Sequence, residues 1–270
     1  MQTCVVNKLT IGGDAPVRLM GVINCSPESF YPNSYFPTEA VHKKAVEMIE
    51  QGADMIDLGA RSTAPNTQAI SGKAEAERID AALSELDGSG ITVSVDTMHP
   101  GVLDVCFKHE IHAVNDISGF LSPVYAQRVA SSGLPAILMA SSRQPGDAAG
   151  VDATVKALRL VVQRCDQAGV RQYVLDPGIG IWTPLRSVED DWQLCQNFGI
   201  FRQFDRPLLA AISRKTFIGD LLGRDSFDRL SGSLAVTVAL LAQGASVVRT
   251  HDVAETRDVI RVYDRLRKGR

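Results

Sequence analysis

The chain lacks the features that would place it in several large protein classes. Its five cysteines, Cys4, Cys25, Cys106, Cys165 and Cys195, form no CxxC pair and have no ligand-like spacing to histidine. That pattern argues against a disulfide framework and a zinc site, and it predicts a reducing, cytoplasmic setting. Cys25 reads as a small residue packed under a polar loop, with a reactive thiol as the alternative. An excess of positive charge is also missing. The formal net charge of −3 leaves no basic footprint, so no nucleic-acid partner is expected. The basic cluster of Arg265, Arg267, Lys268 and Arg270 reads as a solvated helix end. The longest apolar stretch, near Leu234–Ala242, is too short to span a bilayer and is broken by Thr237. The N-terminus has neither the charged start nor the apolar core of a signal peptide, so no membrane partner is expected. No proline- or serine-rich linker and no internal repeat divides the chain, so residues 1–270 read as one domain.

What is present is a regular alternation of apolar runs and helical spacing. Strands are predicted at Arg18–Asn24, Met55–Gly59, Ile91–Asp96, His112–Asn115, Ala136–Met139, Tyr173–Asp176, Leu208–Ile212 and Val247–Arg249. Helices are predicted at Thr38–Gln51, Ala74–Leu86, Pro100–His109, Val124–Ser131, Asp152–Ala168, Val188–Phe198, Lys215–Leu222, Leu230–Gln243 and Ala254–Arg267. Runs of Val, Ile and Leu without polar alternation mark strands buried on both faces, hence a parallel sheet. Eight βα units in this length fit an α/β fold of one closed (β/α)₈ TIM barrel. The open doubly wound alternative usually carries a glycine-rich turn after its first strand. Here that turn is Asn24-Cys25-Ser26-Pro27-Glu28-Ser29-Phe30.

In the barrel, functional groups gather at the C-terminal rim of the strands. Asn24, Asp96, Asn115, Met139 and Asp176 end strands one, three, four, five and six. Thr63 follows strand two, Ser213-Arg214-Lys215 follow strand seven, and Arg249 and His251 end strand eight. Carboxylates and an amide suit a heterocycle rich in N–H donors, while arginines, a lysine and a histidine suit an adjoining anion. Each residue alone has a structural alternative. Asp96 and Asp176 could cap helices, Asp176-Pro177-Gly178 is a common turn, and Asp116 suits a backbone cap better than a substrate contact. Arg249 and His251 could pair with Asp252 or Glu255, and Ser213–Lys215 could simply open a helix. The joint occupation of six rim positions by polar groups favours a site.

Over nearly its whole length the chain resembles the dihydropteroate synthase family. The resemblance rests on an N-x-S/T-P-D/E-S-F loop (Asn24–Phe30), G-A-D-x-I-D-x-G (Gly52–Gly59) and S-T-x-P (Ser62–Pro65). It continues through S-V-D-T (Ser94–Thr97), N-D-I-S-G (Asn115–Gly119), D-P-G-I-G (Asp176–Gly180), S-R-K (Ser213–Lys215) and R-x-H-D-V (Arg249–Val253). It implies a pterin-binding barrel that joins 6-hydroxymethyl-7,8-dihydropterin pyrophosphate to p-aminobenzoate in folate biosynthesis, releasing pyrophosphate. By the same resemblance, Asp96, Asn115, Met139, Asp176, Lys215 and Arg249 would hold the pterin. Asn24, Thr63, Arg249 and His251 would hold the pyrophosphate, with Mg²⁺ bound near Asn24. Pro65, Ser213 and Arg214 would lie near the arylamine. Asp96, Lys215, Arg249 and His251 would serve a dissociative substitution with no covalent enzyme intermediate. A homodimer through the later helices is also implied, with Leu234–Leu241 as a candidate contact.

Several positions depart from the family pattern. Where it usually reads G-E-S-T-R-P-G, this chain has Gly59-Ala60-Arg61-Ser62-Thr63-Ala64-Pro65-Asn66, so an acid becomes Arg61 and an arginine becomes Ala64. The usual M-H becomes Met139-Ala140, and the usual G-F-G/A-K becomes Gly180-Ile181-Trp182-Thr183. The pterin floor is thus kept while the arylamine side is altered. A related transferase using another arylamine therefore stays open, as does a methyltransferase-type or non-catalytic pterin barrel. The S-P-E-S-F, S-R-K and R-x-H-D motifs favour a synthase over a methyltransferase.

Overall fold

The computed structural model describes residues 2–26, 36–61 and 70–267. A hairpin of β1 (Cys4–Val6) and β2 (Leu9–Ile11) comes first, followed by β3 (Arg18–Asn24) and α1 (Val41–Glu50). Then follow β4 (Met55–Gly59), α2 (Gly72–Ser84), β5 (Val93–Asp96), α3 (Pro100–Cys106), β6 (Ala113–Asp116) and α4 (Pro123–Ser132). The second half runs β7 (Ala136–Met139), α5 (Gly150–Ala168), β8 (Tyr173–Asp176), α6 (Val188–Gln196), β9 (Leu209–Ala210) and α7 (Thr216–Leu222). It ends with α8 (Leu230–Ala242), β10 (Val247–Thr250) and α9 (Val253–Arg267). Among the described residues, eight parallel strands pair in the order β8-β7-β6-β5-β4-β3-β10-β9. A parallel bridge between Leu175 and Leu208 brings the two ends of that order together. The expected (β/α)₈ barrel is therefore present, with the expected strand set. No described helix is long and apolar enough to cross a membrane.

The hairpin was not foreseen, because two three-residue strands leave no usable periodicity. Cys4, Val6 and Ile11 pack into one buried cluster with Met20, Met55, Ala113, Ile137, Val174, Leu209 and Val247. These are the inward residues near the N-terminal ends of the strands, so the hairpin plugs the bottom of the barrel. The opposite strand faces, through residues such as Leu19, Ile56, Val95, Val114, Leu138, Leu175 and Val248, pack with the helices in a second cluster. All five cysteines are buried and unpaired, Cys25 among them, and burial pushes its thiol up to about 12. The packed-residue reading of Cys25 therefore stands.

Strand period then decides what fills the mouth. Side chains two positions along a strand share a face. Stepping up from Met55 gives Asp57, from Ala113 gives Asn115, and from Ile137 gives Met139. Likewise Val174 leads to Asp176, and Val247 to Arg249 and then His251. The apolar floor thus changes within one residue pair to a polar layer.

Candidate active site

Arg249 organises that layer. Its Nε donates to Asp57 Oδ2 at 2.7 Å and its Nη2 donates to Asp96 Oδ2 at 3.1 Å. Asn115 Nδ2 also donates to Asp57 Oδ2, at 2.9 Å. Asp57 Oδ1 and the neighbouring Ser94 Oγ are buried with no hydrogen-bond partner among the described residues. Burial pushes the Asp96 carboxyl up to about 7, reinforced by the charge of Asp57 and opposed by Arg249. Asp57 is the residue that motif reading missed as a site member. A carboxylate inside the fully buried run MIDLG was the available signal, since such a charge needs a partner.

Parallel register sets Asn24 of β3 and Asp96 of β5 on either side of Gly59 in β4, which brings Asn24 and Asp96 to the same edge. Across the mouth, Asp176 accepts the Gly178 N–H at 2.8 Å, and burial raises its carboxyl despite that bond and nearby Lys215. Burial lowers the Lys215 ammonium to about 8, against the pull of Asp176. Met139 is fully buried, with its thioether against Gly178. Asp116 accepts the N–H groups of Ser118 and Phe120 at 2.7 and 2.8 Å, the backbone cap expected of it.

Strands β9 and β10 deliver their polar residues differently. His251 Nδ1 lies 3.0 Å from Ser213 Oγ, which also accepts the His251 N–H at 3.2 Å. Burial drives the His251 imidazole down to about 3, helped by the charges of Arg249, Lys215 and Arg214. A neutral ring bonds through a polarised N–H instead of adding charge to the expected cationic shelf. Arg214 is turned away from a substrate role. Its Nε and Nη2 reach Asp252 at 2.9 and 2.6 Å, and its Nη1 donates to the carbonyls of Ser226 and Phe227. Asp252 thus pairs with Arg214, and Arg249 pairs with Asp57 and Asp96. Thr63 and Pro65 lie outside the described residues, as do Ser62, Ala64 and Asn66.

The expected Mg²⁺ at Asn24 requires correction. Among the described residues, no group of three His, Cys, Asp or Glu side chains could hold a metal ion. Two carboxylates of the mouth, Asp57 and Asp96, are instead bridged by the Arg249 guanidinium.

Two flanking clusters were also unread. Buried Glu75 accepts Thr97 Oγ1 at 2.6 Å and meets His99 Nδ1 at 2.9 Å, while Arg61 Nη1 lies 3.1 Å from His99 Nε2. Arg61 therefore sits among partners supplied by α2 and the loop after β5. On the other side, Asp191 Oδ1 accepts the Gly180 N–H at 2.7 Å and Arg186 Nη2 at 2.8 Å, a pair almost wholly enclosed.

A barrel with a floor of carboxylate, amide and guanidinium groups matches the family model described as "Pterin binding enzyme", which aligns to residues 20–251. The dihydropteroate synthase of Escherichia coli K12 is 33% identical over 259 residues, covering 92% of this chain and 90% of that protein. A dihydropteroate synthase of Coxiella burnetii, solved with pteroic acid, superposes with a TM-score of 0.88 at 27% identity, covering 99% of both chains. That of Xanthomonas albilineans, solved with 4-aminobenzoic acid, gives a TM-score of 0.85 at 30% identity and 98% coverage of both. The chain belongs to the dihydropteroate synthase family of pterin-binding enzymes.

Proposed function

We propose that this protein is a dihydropteroate synthase-type transferase. It joins 6-hydroxymethyl-7,8-dihydropterin pyrophosphate to an arylamine, p-aminobenzoate being the first candidate, and releases pyrophosphate. The observation that carries this reading is the mouth itself, where Asp96, Asn115, Asp176, Lys215 and Arg249 converge above an apolar plug. The acceptor oxygens suit the ring N–H and amino groups of a pterin, and Lys215 suits its carbonyl. Asp96, on the floor, would stabilise positive charge on the pterin methylene as the carbon–oxygen bond to pyrophosphate breaks. Arg249 and the neutral His251 ring would donate to the departing oxygens, with Asn24 and Thr63 as further pyrophosphate contacts. The arylamine nitrogen then attacks, and positioning supplies much of the rate for so weak a nucleophile. Pro65 and Ser213 would lie on the arylamine side.

A different arylamine is favoured by one group of residues. Arg61, Ala140 and Trp182 all stand where the family pattern has other chemistry. Product detection by mass spectrometry, with dihydropterin pyrophosphate and a panel of arylamines, separates the readings. A p-aminobenzoate adduct is expected, and preference for another amine selects the second reading. No adduct with any amine overturns the transferase assignment.

The protein would act in the cytoplasm as a single barrel domain forming a homodimer. Buried unpaired cysteines suit that compartment. The outer face of α8 supports the dimer, because Ala235, Val238, Ala239 and Ala242 are all exposed at helical spacing on one side. Val238→Arg should convert a dimer to a monomer in light scattering. An unchanged mass for the variant, or a monomeric wild type, removes this interface.

A further inference from the structure

Lys215 is held in an unusual way for a half-buried cation. Among the described residues its ammonium makes no hydrogen bond and no ion pair, yet it lies 4.8 Å from the centre of the Trp182 ring. Trp182 is itself clipped, its indole N–H donating to Gly178 O at 2.9 Å. The same carbonyl accepts Arg186 Nη1 at 2.8 Å, and the Arg186–Asp191 pair secures the Gly180 N–H. A Cβ on Gly180 would lie 3.0 Å from Lys215 Nζ and 3.4 Å from Trp182 Nε1, so the turn wraps closely round both side chains. Trp182 also packs closely on Gly146, where any Cβ would collide with the indole and its Cβ. The indole is thus fixed from several directions, and the ammonium rests on it.

An aromatic face stabilises a cation without consuming a directional N–H bond. A carboxylate in the same place would hold the charge equally well but would take up the donors that a ligand needs. We propose that Trp182 is the positioning residue of Lys215, keeping its ammonium charged and its N–H donors available to the pterin. This inference rests on the proposed function for the identity of the ligand, but the contact itself does not. Four other charged groups act on the ammonium: Asp176 from β8, Arg249 from β10, Asp191 from α6 and Arg186 from the loop before α6. With Lys215 already lowered to about 8, loss of the ring would lower it further. The basic limb of the pH profile would then move to lower pH.

The test has two arms. Trp182 and Trp192 are the two tryptophans of the chain, so a Trp192→Phe protein reports on Trp182 alone. In that background Lys215→Met should change the indole emission, and an identical spectrum would overturn the contact. In the second arm, Trp182→Phe should keep KM for dihydropterin pyrophosphate within about threefold of wild type, since a phenyl face still holds a cation. Trp182→Leu should raise that KM at least roughly tenfold, affect kcat less, and move the basic limb to lower pH. Equal kinetics for Leu and Phe, or a fall in kcat alone with an unmoved limb, would sink the positioning role. If wild type forms no product while the emission arm succeeds, the transferase reading has failed and the contact stands.

Discussion

Arg249 and Arg214 are both largely buried arginines paired with aspartate, yet they do opposite things. Arg214 forms a fork with Asp252, and its remaining edge meets two backbone carbonyls that tie down the loop after α7. One guanidinium there answers one carboxylate, and the pair closes on itself. Arg249 is shared between Asp57 and Asp96, and the cluster keeps Asp57 Oδ1 and Ser94 Oγ without partners. The first arrangement fixes the fold. The second holds acceptor capacity at the mouth of the barrel, where a ligand with N–H groups can use it.

The largest effect should come from breaking the open cluster. Arg249→Met leaves Asp57 and Asp96 facing each other without a cation, and kcat/KM should fall by roughly 10²–10³ or more. Binding of pterin pyrophosphate should weaken more than binding of pterin alone, which titration calorimetry can read. Equal weakening of both ligands would remove the pyrophosphate role of Arg249. Arg214→Met should instead appear in stability, because it strands Asp252, whose side chain is only 12% exposed. A loss of about 3–5 kcal/mol is expected from urea unfolding. If Arg214→Met proves the milder of the two in unfolding, the contrast between strut and site collapses.

Acidity sharpens the same contrast. The Asp96 carboxyl rises from 3.8 to about 7 on folding, chiefly through burial and then through Asp57. Between those pH values the folded chain holds more of this proton than the unfolded chain. Its contribution to stability is therefore largest below pH 3.8 and declines as pH rises towards 7. Asp96→Asn should abolish turnover and, above about pH 7, leave a protein at least as stable as wild type. Full activity in that variant would end the cation-stabilising role.

The division between what the sequence reveals and what it hides follows the same line. Eight strands and the rim position of Asp96, Asn115, Asp176 and Arg249 were readable because period and motif are local properties. Asp57 escaped because its importance comes from Arg249, 192 positions away. Arg214 was read as a ligand contact from its place in S-R-K, but its left-handed backbone (φ 57°) and Asp252 turn it into a strut. The charge of His251 was misjudged for a related reason, since burial and three nearby cations, not sequence, leave the ring neutral. The magnesium expectation is overturned because the described residues offer no group of three His, Cys, Asp or Glu ligands, and Asp57 and Asp96 are paired with Arg249 instead.

A third acid–base cluster, remote from the mouth, offers the smallest and cleanest comparison. His109 sits between Asp87 at 2.7 Å and Asp80 at 3.0 Å, clipping the end of α2 to the turn after α3. Burial opposes the charged imidazole, but the bonds and charges of Asp87 and Asp80 outweigh it and raise its pKa above 6.5. Because the folded value lies above the unfolded one, the clip contributes fully below pH 6.5 and loses its effect as pH rises through the folded value. His109→Gln should therefore lower Tm by roughly 1–3 °C at pH 5.5 and by much less at pH 9, with kcat unchanged. This pH trend parallels that of Asp96 for the opposite electrostatic reason, because here the protonated form is the charged one and it is held by two acids. A Tm difference that does not vary with pH would mean that His109 acts through packing alone.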